Sequence, residues 1–264
     1  MENKKLALLT GASAGVGREM AFLLSEAGWD LIITARSLEK LEALKNELET
    51  KYSNSVSVFS VDLSTSGAAQ KVLDFCIQNN YQIDLLINNA GAGLFGESVE
   101  LGTKVTPMIS LNVIALTELC SLFGKVMKEK GCGSILNIGS IAGNQPTAQF
   151  ASYAASKSYV LNYSLALRHE LKKYGVNVTC AQPGYIRTAF DDNCNIVSEK
   201  YKKFSYNNGM TAKAVATKAL KAVFSKRSYV RLGFANKCAA FFSGLIPRNF
   251  LAWVLSKSIA SLTK

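Results

Sequence analysis

Short apolar runs alternate along the chain with longer segments of helical periodicity. The runs predict seven strands, over residues 6–9, 31–34, 56–61, 83–87, 133–138, 176–181 and 229–232. Most of these runs are apolar at nearly every position, which is typical of a parallel sheet covered by helices on both faces. The pattern therefore predicts an α/β fold, a doubly wound parallel sheet (Rossmann fold) of about seven strands.

The segments between the strands predict the helices of this fold. They cover residues 20–27, 38–51, 66–79, 107–130, 152–174 and 211–225. Residues 190–209 are polar and predict a loop, which we interpret as a lid over a substrate site because it follows a strand end. No linker or internal repeat divides the chain. We therefore expect one domain, with a catalytic core over residues 1–235 and a helical extension over residues 236–264.

The cysteines, and the one histidine, do not form a pattern of ligands. The six cysteines include no CxxC pair and are Cys76, Cys120, Cys132, Cys180, Cys194 and Cys238. Reduced thiols are expected rather than a disulfide framework, and since His169 has no cluster of ligand residues beside it, we expect no metal. The apolar run at residues 6–9 is too short for a signal-peptide core, so we expect a cytoplasmic protein.

The net charge of +11 is concentrated at one end of the chain. Residues 1–199 hold 17 Lys and Arg and all 19 Asp and Glu, whereas residues 200–264 hold 13 Lys and Arg and no acid. A high pI alone suggests nucleic-acid binding, but no helix-turn-helix, zinc or aromatic-stacking pattern supports it. We expect no nucleic-acid partner.

A glycine-rich turn joins the first predicted strand to the first helix. Its sequence is Thr10-Gly11-Ala12-Ser13-Ala14-Gly15-Val16-Gly17. Small residues allow backbone N–H groups and a helix N-terminus to approach a pyrophosphate, so the turn predicts a dinucleotide site. An ordinary tight turn between a strand and a helix is the alternative for these residues taken alone.

The end of the second strand bears on the choice of cofactor. An NAD-binding fold usually has an acid there, which binds the ribose 2′-OH. This chain has Ala35 and then Arg36, whose guanidinium suits a 2′-phosphate, so NADP(H) is favoured. The alternative for Arg36 is a solvated side chain at a helix start. Asp62 follows the third strand, where an adenine ring would lie.

Tyr153 and Lys157 lie one helical turn apart near the start of the predicted helix 152–174. The spacing places the phenol and the ammonium on one face. A free tyrosine has a pKa of about 10, and a nearby Lys favours the phenolate, which would lower that pKa toward the range useful for general acid-base catalysis. Ser140 emerges at the carboxyl end of the fifth strand, at the same sheet edge as the glycine-rich turn.

Taken together, these residues resemble the short-chain dehydrogenase/reductase (SDR) family. The resemblance rests on the TGxxxGxG turn from Thr10 to Gly17, Asn88-Asn89-Ala90-Gly91, Asn112, Ser140, Tyr153-x-x-x-Lys157 and Pro183-Gly184. They occur in the family's order and spacing over residues 5 to 232. The resemblance implies an oxidoreductase that transfers a hydride between a nicotinamide cofactor and a carbonyl or alcohol.

The resemblance also implies the roles of single residues. Tyr153 would protonate the carbonyl oxygen and Ser140 would hydrogen-bond it. Lys157 would hold the nicotinamide ribose, and Asn112 would fix a water that relays protons, whereas the residue alone would be read as a helix-surface amide. The cofactor set that we expect is Gly11, Ser13, Ala14, Gly15, Val16, Gly17, Arg36, Asp62, Leu63, Asn89, Ala90, Gly91, Tyr153, Lys157, Pro183, Gly184, Ile186 and Thr188.

The predicted function is NADP(H)-dependent reduction of a small-molecule carbonyl, or the reverse oxidation of a secondary alcohol, with a lipophilic or acyl compound among the candidate substrates. The alternative is an NADP-binding interaction or regulatory protein with vestigial catalysis, which the intact catalytic set argues against. A homo-oligomer, either a dimer or a tetramer, is expected.

The apolar C-terminal segment exceeds what a dehydrogenase core needs. It predicts two helices, with Pro247 in the first turn of the second helix. Leu251, Val254, Leu255, Ile259 and Leu262 fall on one side of that helix, with Lys257 away from them. Neither half reaches the roughly 20 apolar residues that a membrane span needs. Three interpretations stay open: a roof over the substrate site, a subunit contact, or a peripheral contact with an anionic membrane.

Overall fold

A parallel sheet of seven strands forms the centre of the computed structural model, which describes residues 4–263. The strands are β1 (Leu6–Thr10), β2 (Asp30–Ala35), β3 (Val56–Ser60), β4 (Leu85–Asn88), β5 (Gly133–Ile138), β6 (Val176–Gln182) and β9 (Tyr229–Arg231). Their order is β3-β2-β1-β4-β5-β6-β9, and every neighbouring pair is parallel. The doubly wound fold and its seven strands are confirmed. A separate parallel pair consists of β7 (Ile186–Arg187) and β8 (Met210–Thr211).

The helices cover both faces of the sheet. They are α1 (Gly15–Glu26), α2 (Leu38–Lys51), α3 (Ala68–Gln78), α4 (Ser98–Leu101), α5 (Thr106–Ile109), α6 (Leu116–Lys130), α7 (Ala151–Lys172), α8 (Phe190–Asn193), α9 (Glu199–Asn208), α10 (Ala212–Phe224), α11 (Phe234–Leu245) and α12 (Arg248–Thr263). Short 3₁₀ turns occupy Gly102–Val105 and Ile141–Asn144, and a π-helical turn occupies Ser110–Ala115. The predicted helix 107–130 is therefore present, but the π-helical turn interrupts its regular hydrogen bonding.

Two hydrophobic clusters lie on opposite faces of the sheet. Leu8 and Leu9 are neighbours on β1 and point to opposite sides, because side chains alternate along a strand. Leu9 belongs to the cluster under α1, α2 and α10, and Leu8 to the cluster under α3, α6 and α7. Strand order reverses between β1 and β4, so the carboxyl ends of these strands flank a crevice of the kind in which α/β sheets bind ligands.

The prediction of a loop over residues 190–209 is wrong for most of its length. The segment forms α8 and α9. Helix α9 starts at an N-cap, Ser198, whose hydroxyl accepts a hydrogen bond from Tyr201 N at 3.2 Å. It buries only Tyr201 and Ser205, which lie four residues apart. With only one buried aromatic residue and one buried serine, α9 has little of the apolar periodicity that identifies a helix. Its sequence therefore resembles that of a polar loop.

The predicted pair of C-terminal helices is present, and the break between them falls at Ile246 and Pro247. Leu251 and Ile259 are buried on the inner side of α12, in agreement with the predicted stripe. Val254 is exposed, so its place in that stripe was wrong. Helix α12 packs against α9, so the C-terminal extension contacts residues 190–209, the segment predicted to be a lid and called the lid below.

By length and composition alone, the helical run Ser98–Lys130 is apolar enough to cross a membrane. Helix α6 within this run buries Leu119, Phe123 and Met127 in the cluster beneath the sheet. These contacts with the sheet account for the apolar residues of α6 as part of the core.

Candidate active site

The carboxyl ends of β1 and β4 meet at the glycine-rich turn and are tied together by two side chains. Thr10 Oγ1 donates to Ile87 O at 3.2 Å and accepts from the backbone N–H groups of Asn89 and Ala90, each at 3.0 Å. The Asn89 amide donates in return to the carbonyls of Thr10 and Gly11 at 3.0 and 3.1 Å. The Asn89 amide therefore joins the turn after β4 to the glycine-rich turn after β1.

Two glycines of the turn are required by this close packing. Gly11 has φ +66°, and a Cβ added there would lie 2.8 Å from Ala90 Cα. A Cβ added at Gly17 would lie 2.2 Å from Gly11 O and 2.6 Å from Asn89 Nδ2. Side chains are therefore excluded at both positions by backbone, not only by a bound molecule.

The start of α1 has the properties of an anion-binding site. No side chain caps the helix at Ala14, so the capping that often satisfies the first-turn N–H groups is absent. Ser13, Ala14 and Gly15 leave these groups accessible, and Val16 and Gly17 are buried beneath them. A Cβ at Gly15 would lie 3.4 Å from Thr188 Cγ2, so Thr188 lies beside the turn. The residues fit the pyrophosphate of a dinucleotide.

Arg36 and Asp62 come together at the ends of β2 and β3. Arg36 is exposed, and its positive charge contributes to lowering the pKa of Asp62. The larger cause is the hydrogen bond that the Ser64 hydroxyl donates to Asp62 Oδ1, at 2.7 Å. Leu63 is buried between them and the core. The exposed guanidinium beside a polar turn fits a nucleotide phosphate; that Arg36 binds one stays a prediction.

Lys157 lies on the second turn of α7 with its side chain buried. Its ammonium donates a hydrogen bond to Ile138 O at 3.0 Å, at the end of β5. A Cβ placed on Gly91 would lie 3.3 Å from Lys157 Nζ and 3.3 Å from Asn112 Oδ1. Burial lowers the pKa of Lys157 to about 8. The amine is therefore held at the sheet edge, between the turn after β4 and the strand end that leads to Ser140.

Asn112 is buried in the π-helical turn Ser110–Ala115. Its side-chain amide exchanges hydrogen bonds with the backbone of Ala92, with Oδ1 accepting at 2.9 Å and Nδ2 donating at 2.8 Å. Nδ2 also donates to Ser156 Oγ at 3.1 Å, on the turn of α7 that lies between Tyr153 and Lys157. The alternative of a helix-surface amide is therefore wrong. The side chain joins three segments of the site, and the predicted role with a water stays a prediction.

Ser140 caps the 3₁₀ turn after β5. Its hydroxyl accepts from Ala142 N at 3.1 Å, and its carbonyl accepts from Gln182 Nε2 at 3.1 Å. Pro183 is buried, and its carbonyl accepts from Ile141 N at 2.9 Å, which joins the ends of β5 and β6. Gly184 lies under the side chain of Asn236 in α11. These contacts fix the backbone on which the Ser140 hydroxyl is carried.

Tyr153 lies in the first turn of α7 at the mouth of this arrangement. Burial raises the pKa of its phenol, and the neighbouring Ser140 hydroxyl acts in the opposite direction. The expected lowering by Lys157 is not found, because the ammonium lies 5.8 Å from the ring centroid and is directed at Ile138 O. In this arrangement Tyr153 holds its proton at neutral pH, as a proton donor must.

Comparisons with known proteins decide the family. The short chain dehydrogenase family model matches residues 5–197. The chain belongs to the short-chain dehydrogenase/reductase family.

Three proteins illustrate what the chain is similar to. A dehydrogenase/reductase SDR family protein 7-like protein from Dictyostelium discoideum is 31% identical over 225 residues, covering 83% of this chain and 70% of its own length. An NADP-dependent 3-hydroxy acid dehydrogenase from Schizosaccharomyces pombe is 33% identical over 190 residues, covering 70% of this chain and 73% of the relative. The structure of a short-chain dehydrogenase from Sphingobium yanoikuyae in complex with NADPH superposes with a TM-score of 0.81, at 28% identity, covering 91% of this chain and 93% of the other.

A cluster of aromatic side chains packs beside Tyr153, and the sequence pattern did not predict it. Phe150 and Phe190 each lie 5.7 Å from Tyr153, measured between ring centroids. Phe95 and Tyr201 extend the same cluster, at 5.0 and 6.4 Å from Phe150. Phe150 lies three residues before Tyr153, so a helical spacing was available as a signal, but Phe95 and Tyr201 come from distant segments.

Ile186 and Thr188, the last members of the expected cofactor set, lie on β7 and directly after it. They line a cavity of about 300 Å³ together with Asp191 and Lys202 of the lid. Burial raises the pKa of Asp191, and Lys202 makes an ion pair with Asp192 at 2.8 Å. Charged side chains of the predicted lid therefore line this cavity beside the end of β7. His169 is exposed near the carboxyl end of α7.

Proposed function

We propose that the protein is an NADP(H)-dependent carbonyl reductase, or the corresponding alcohol dehydrogenase, with Tyr153 as the general acid and base. The observation that supports this most is the convergence of four side chains at one edge of the sheet: Asn112 from the π-helical turn before α6, Ser140 from the turn after β5, and Tyr153 and Lys157 from α7. Family membership supplies the reaction class, and it leaves the specific reaction open.

The proposed roles follow from the environment of each group. In the reductive direction, a neutral Tyr153 gives its proton to the substrate oxygen, and its raised pKa keeps that proton available. Ser140 is placed to donate to the same oxygen as negative charge develops there. Lys157 lies behind both with its ammonium hydrogen-bonded to Ile138 O, and we assign it to holding the nicotinamide ribose. The nicotinamide cofactor, when bound, supplies or accepts the hydride.

We propose NADP(H) rather than NAD(H) because Ala35 and Arg36 stand where an acid would bind a ribose hydroxyl. A guanidinium at the sheet edge gains charge-assisted hydrogen bonds to a 2′-phosphate. The NADPH complex of the similar dehydrogenase from Sphingobium yanoikuyae and the NADP dependence of the Schizosaccharomyces pombe relative support the choice. NAD(H) and NADP(H) would bind the glycine-rich turn in the same way, so we assign the preference for NADP(H) to Arg36.

The aromatic side chains beside Tyr153 favour a lipophilic carbonyl compound as the substrate. The rings of Phe150 and Phe190 pack beside Tyr153, and those of Phe95 and Tyr201 extend the same cluster. An apolar wall gains stability from burying hydrocarbon surface of a substrate and offers a sugar few hydrogen-bond partners.

We also propose a homo-oligomer. Ile114, Val126 and Tyr159 are exposed apolar residues in or beside the long helices α6 and α7. Sedimentation velocity, with Val126→Glu as the variant, tests whether these helices form the contact. A wild-type monomer would contradict the proposal.

The proposed function is tested by screening carbonyl compounds for oxidation of NADPH and of NADH. The panel includes ketosteroids, long-chain 3-oxoacyl esters, small ketones and keto sugars. We expect NADPH oxidation with at least one lipophilic ketone and a slower rate with NADH. NADP binding without turnover on any member, in both directions, would favour the alternative of a regulatory NADP-binding protein.

A further inference from the structure

The two C-terminal helices expose an unusual number of large apolar side chains. Among the described residues, seven of the eighteen large exposed hydrophobic side chains lie on these helices. They are Phe234 at 82% exposure, Phe241 at 61%, Phe242 at 59%, Leu245 at 69%, Phe250 at 54%, Trp253 at 57% and Val254 at 36%. Single exposed apolar residues are normal on protein surfaces, but a group of this size marks an interaction site.

The exposed residues are arranged as faces rather than scattered. On α11, Phe234, Phe241 and Leu245 recur at spacings of seven and four, with Lys237 between the first two. On α12, Phe250 and Trp253 stack with ring centroids 5.8 Å apart, and Lys257 lies one turn beyond Trp253. Each helix therefore carries aromatic and basic side chains on the same outer face.

The inner faces of both helices are already occupied. Asn236 of α11 donates to Leu232 O at 2.6 Å and lies against Gly184 of the active site. Leu251 and Ile259 of α12 are buried, and Leu262 O near its end accepts from Ser198 Oγ of the lid at 2.6 Å. The C-terminal helices thus roof the lid with one face and leave the aromatic face unused by the fold.

The charge of this region indicates which partner fits the outer face. Residues 200–264 hold 13 Lys and Arg and no acid, and Lys237, Arg248 and Lys257 are all exposed on or beside the aromatic faces. Two copies of so basic a region would repel each other, which disfavours a second copy of this chain as the occupant. An anionic lipid surface attracts the basic side chains and also accepts exposed Phe and Trp rings at the headgroup level.

We propose that the outer faces of α11 and α12 form a peripheral docking surface for an anionic phospholipid bilayer. The aromatic side chains enter the interface, and the three basic side chains pair with lipid headgroups. Because α12 also packs on α9, docking holds the lid region beside the bilayer. The inference is independent of the proposed function, since it rests on the outer faces alone.

The test is flotation of the full-length protein with vesicles. One preparation contains phosphatidylcholine and phosphatidylserine, and the other contains phosphatidylcholine alone. We expect binding to the anionic vesicles that weakens with added salt, because exposed charges are screened. Each basic side chain near the surface contributes about a fivefold factor, so Lys237→Gln/Lys257→Gln is expected to weaken binding about thirtyfold.

Matched variants separate a docking surface from general effects of charge and hydrophobicity. The control for the charge pair is Lys71→Gln/Lys125→Gln, two exposed lysines on α3 and α6, with the same loss of net charge. Phe241→Ser/Phe242→Ser should reduce binding by at least about tenfold, and its control is Ile77→Ser, an exposed apolar residue on α3. Both controls should bind like the wild type.

Trp253 provides a direct readout of insertion. The chain contains two tryptophans, and Trp29 lies near the opposite end of the sheet, stacked on Phe224. In a Trp29→Phe background, fluorescence of Trp253 should shift to shorter wavelength on anionic vesicles and be quenched by brominated phosphatidylcholine.

Three results would overturn the proposal. The wild type does not bind anionic vesicles, the control variants weaken vesicle binding as much as the surface variants do, or the protein binds while the fluorescence of Trp253 is not quenched. Oligomerisation that is lost in Phe241→Ser/Phe242→Ser, without vesicle binding by the wild type, would assign these faces to a subunit contact instead.

Discussion

At the carboxyl edge of the sheet, the backbone determines where the functional groups lie. The hydrogen bonds between Thr10 and Asn89 fix the ends of β1 and β4 relative to each other. The backbone packs so closely at Gly11 and Gly17 that no side chain fits at either position. Helices α9, α11 and α12 lie outside the sheet and are instead held by contacts that involve side chains, such as the hydrogen bond from Ser198 Oγ to Leu262 O where α12 packs on α9. The proposed catalytic residues therefore lie on the part that the backbone holds rigid, while the predicted lid and the proposed docking surface lie on the part that side chains hold.

The largest expected difference between the two regions is the response to a single methyl group. Gly17→Ala places a Cβ against Gly11 O, which is backbone and cannot move aside. We expect a loss of about 3 kcal/mol in the free energy of unfolding, and loss of NADPH binding. Gly244→Ala in α11 meets nothing within 4 Å and should be neutral or stabilise the helix by up to about 1 kcal/mol. Urea titrations compare both variants; equal effects would remove the distinction between the regions.

The pH dependence of stability tests how deeply Lys157 is held in the rigid region. Its pKa is lowered from 10.5 to about 8 in the folded protein. Between these pH values the unfolded chain binds more protons than the folded one, so the free energy of unfolding rises with pH. Below pH 8, where Lys157 is charged in the folded state, its burial destabilises the protein most.

We compare the free energy of unfolding of the wild type with that of Lys157→Met, both without cofactor. The difference between them should rise by about 2 kcal/mol between about pH 8 and 9.5. Taking the difference cancels the titration of cysteines and tyrosines common to both proteins. Denaturant unfolding at a series of pH values measures it. A flat difference would show that the amine is solvated in the folded state.

Arg36→Asp probes the edge of the rigid region, where a side chain rather than the backbone makes the distinction. Replacing the guanidinium by a carboxylate removes charge-assisted hydrogen bonds and adds repulsion, so the Kd for NADP should rise at least about tenfold while that for NAD does not. Fluorescence titration with both cofactors measures the change, and Lys40→Asp serves as a charge-matched control on α2. Equal affinity of the wild type for NAD and NADP would contradict the assigned role.

The smallest expected effect is in the region held by side chains. Ser198→Ala removes both the cap of α9 and the hydrogen bond to Leu262 O, and should cost about 1 kcal/mol. Hydrogen exchange should accelerate in α9 and in the last turn of α12. The control, Thr211→Ala, removes the cap of α10 and should leave α12 unchanged. Unchanged exchange in both helices after Ser198→Ala would break the link between lid and extension.

The sequence predicts the rigid region well because short-range rules govern it. Apolar runs give the strands, and glycines followed by a helix give the turn at β1. The burial of Asn112 was not predictable from the sequence pattern, because its partners, Ala92 and Ser156, are distant in the chain. Helix α9 and the exposure of Val254 were missed for a similar reason. Whether α9 forms, and whether Val254 is covered, depends on which distant segment packs against each of them. The weak apolar periodicity of these segments does not predict that partner.

The most direct test of the account compares Tyr153→Phe with the wild type, using NADPH and a ketone that the screen identifies. The substitution removes only the phenolic oxygen and keeps the ring that packs against Phe150 and Phe190. We expect kcat to fall by about 10²- to 10⁴-fold, with the Kd for NADPH within about twofold of the wild type. A variant that retains more than about a tenth of the wild-type rate would contradict the role of Tyr153 as the proton donor.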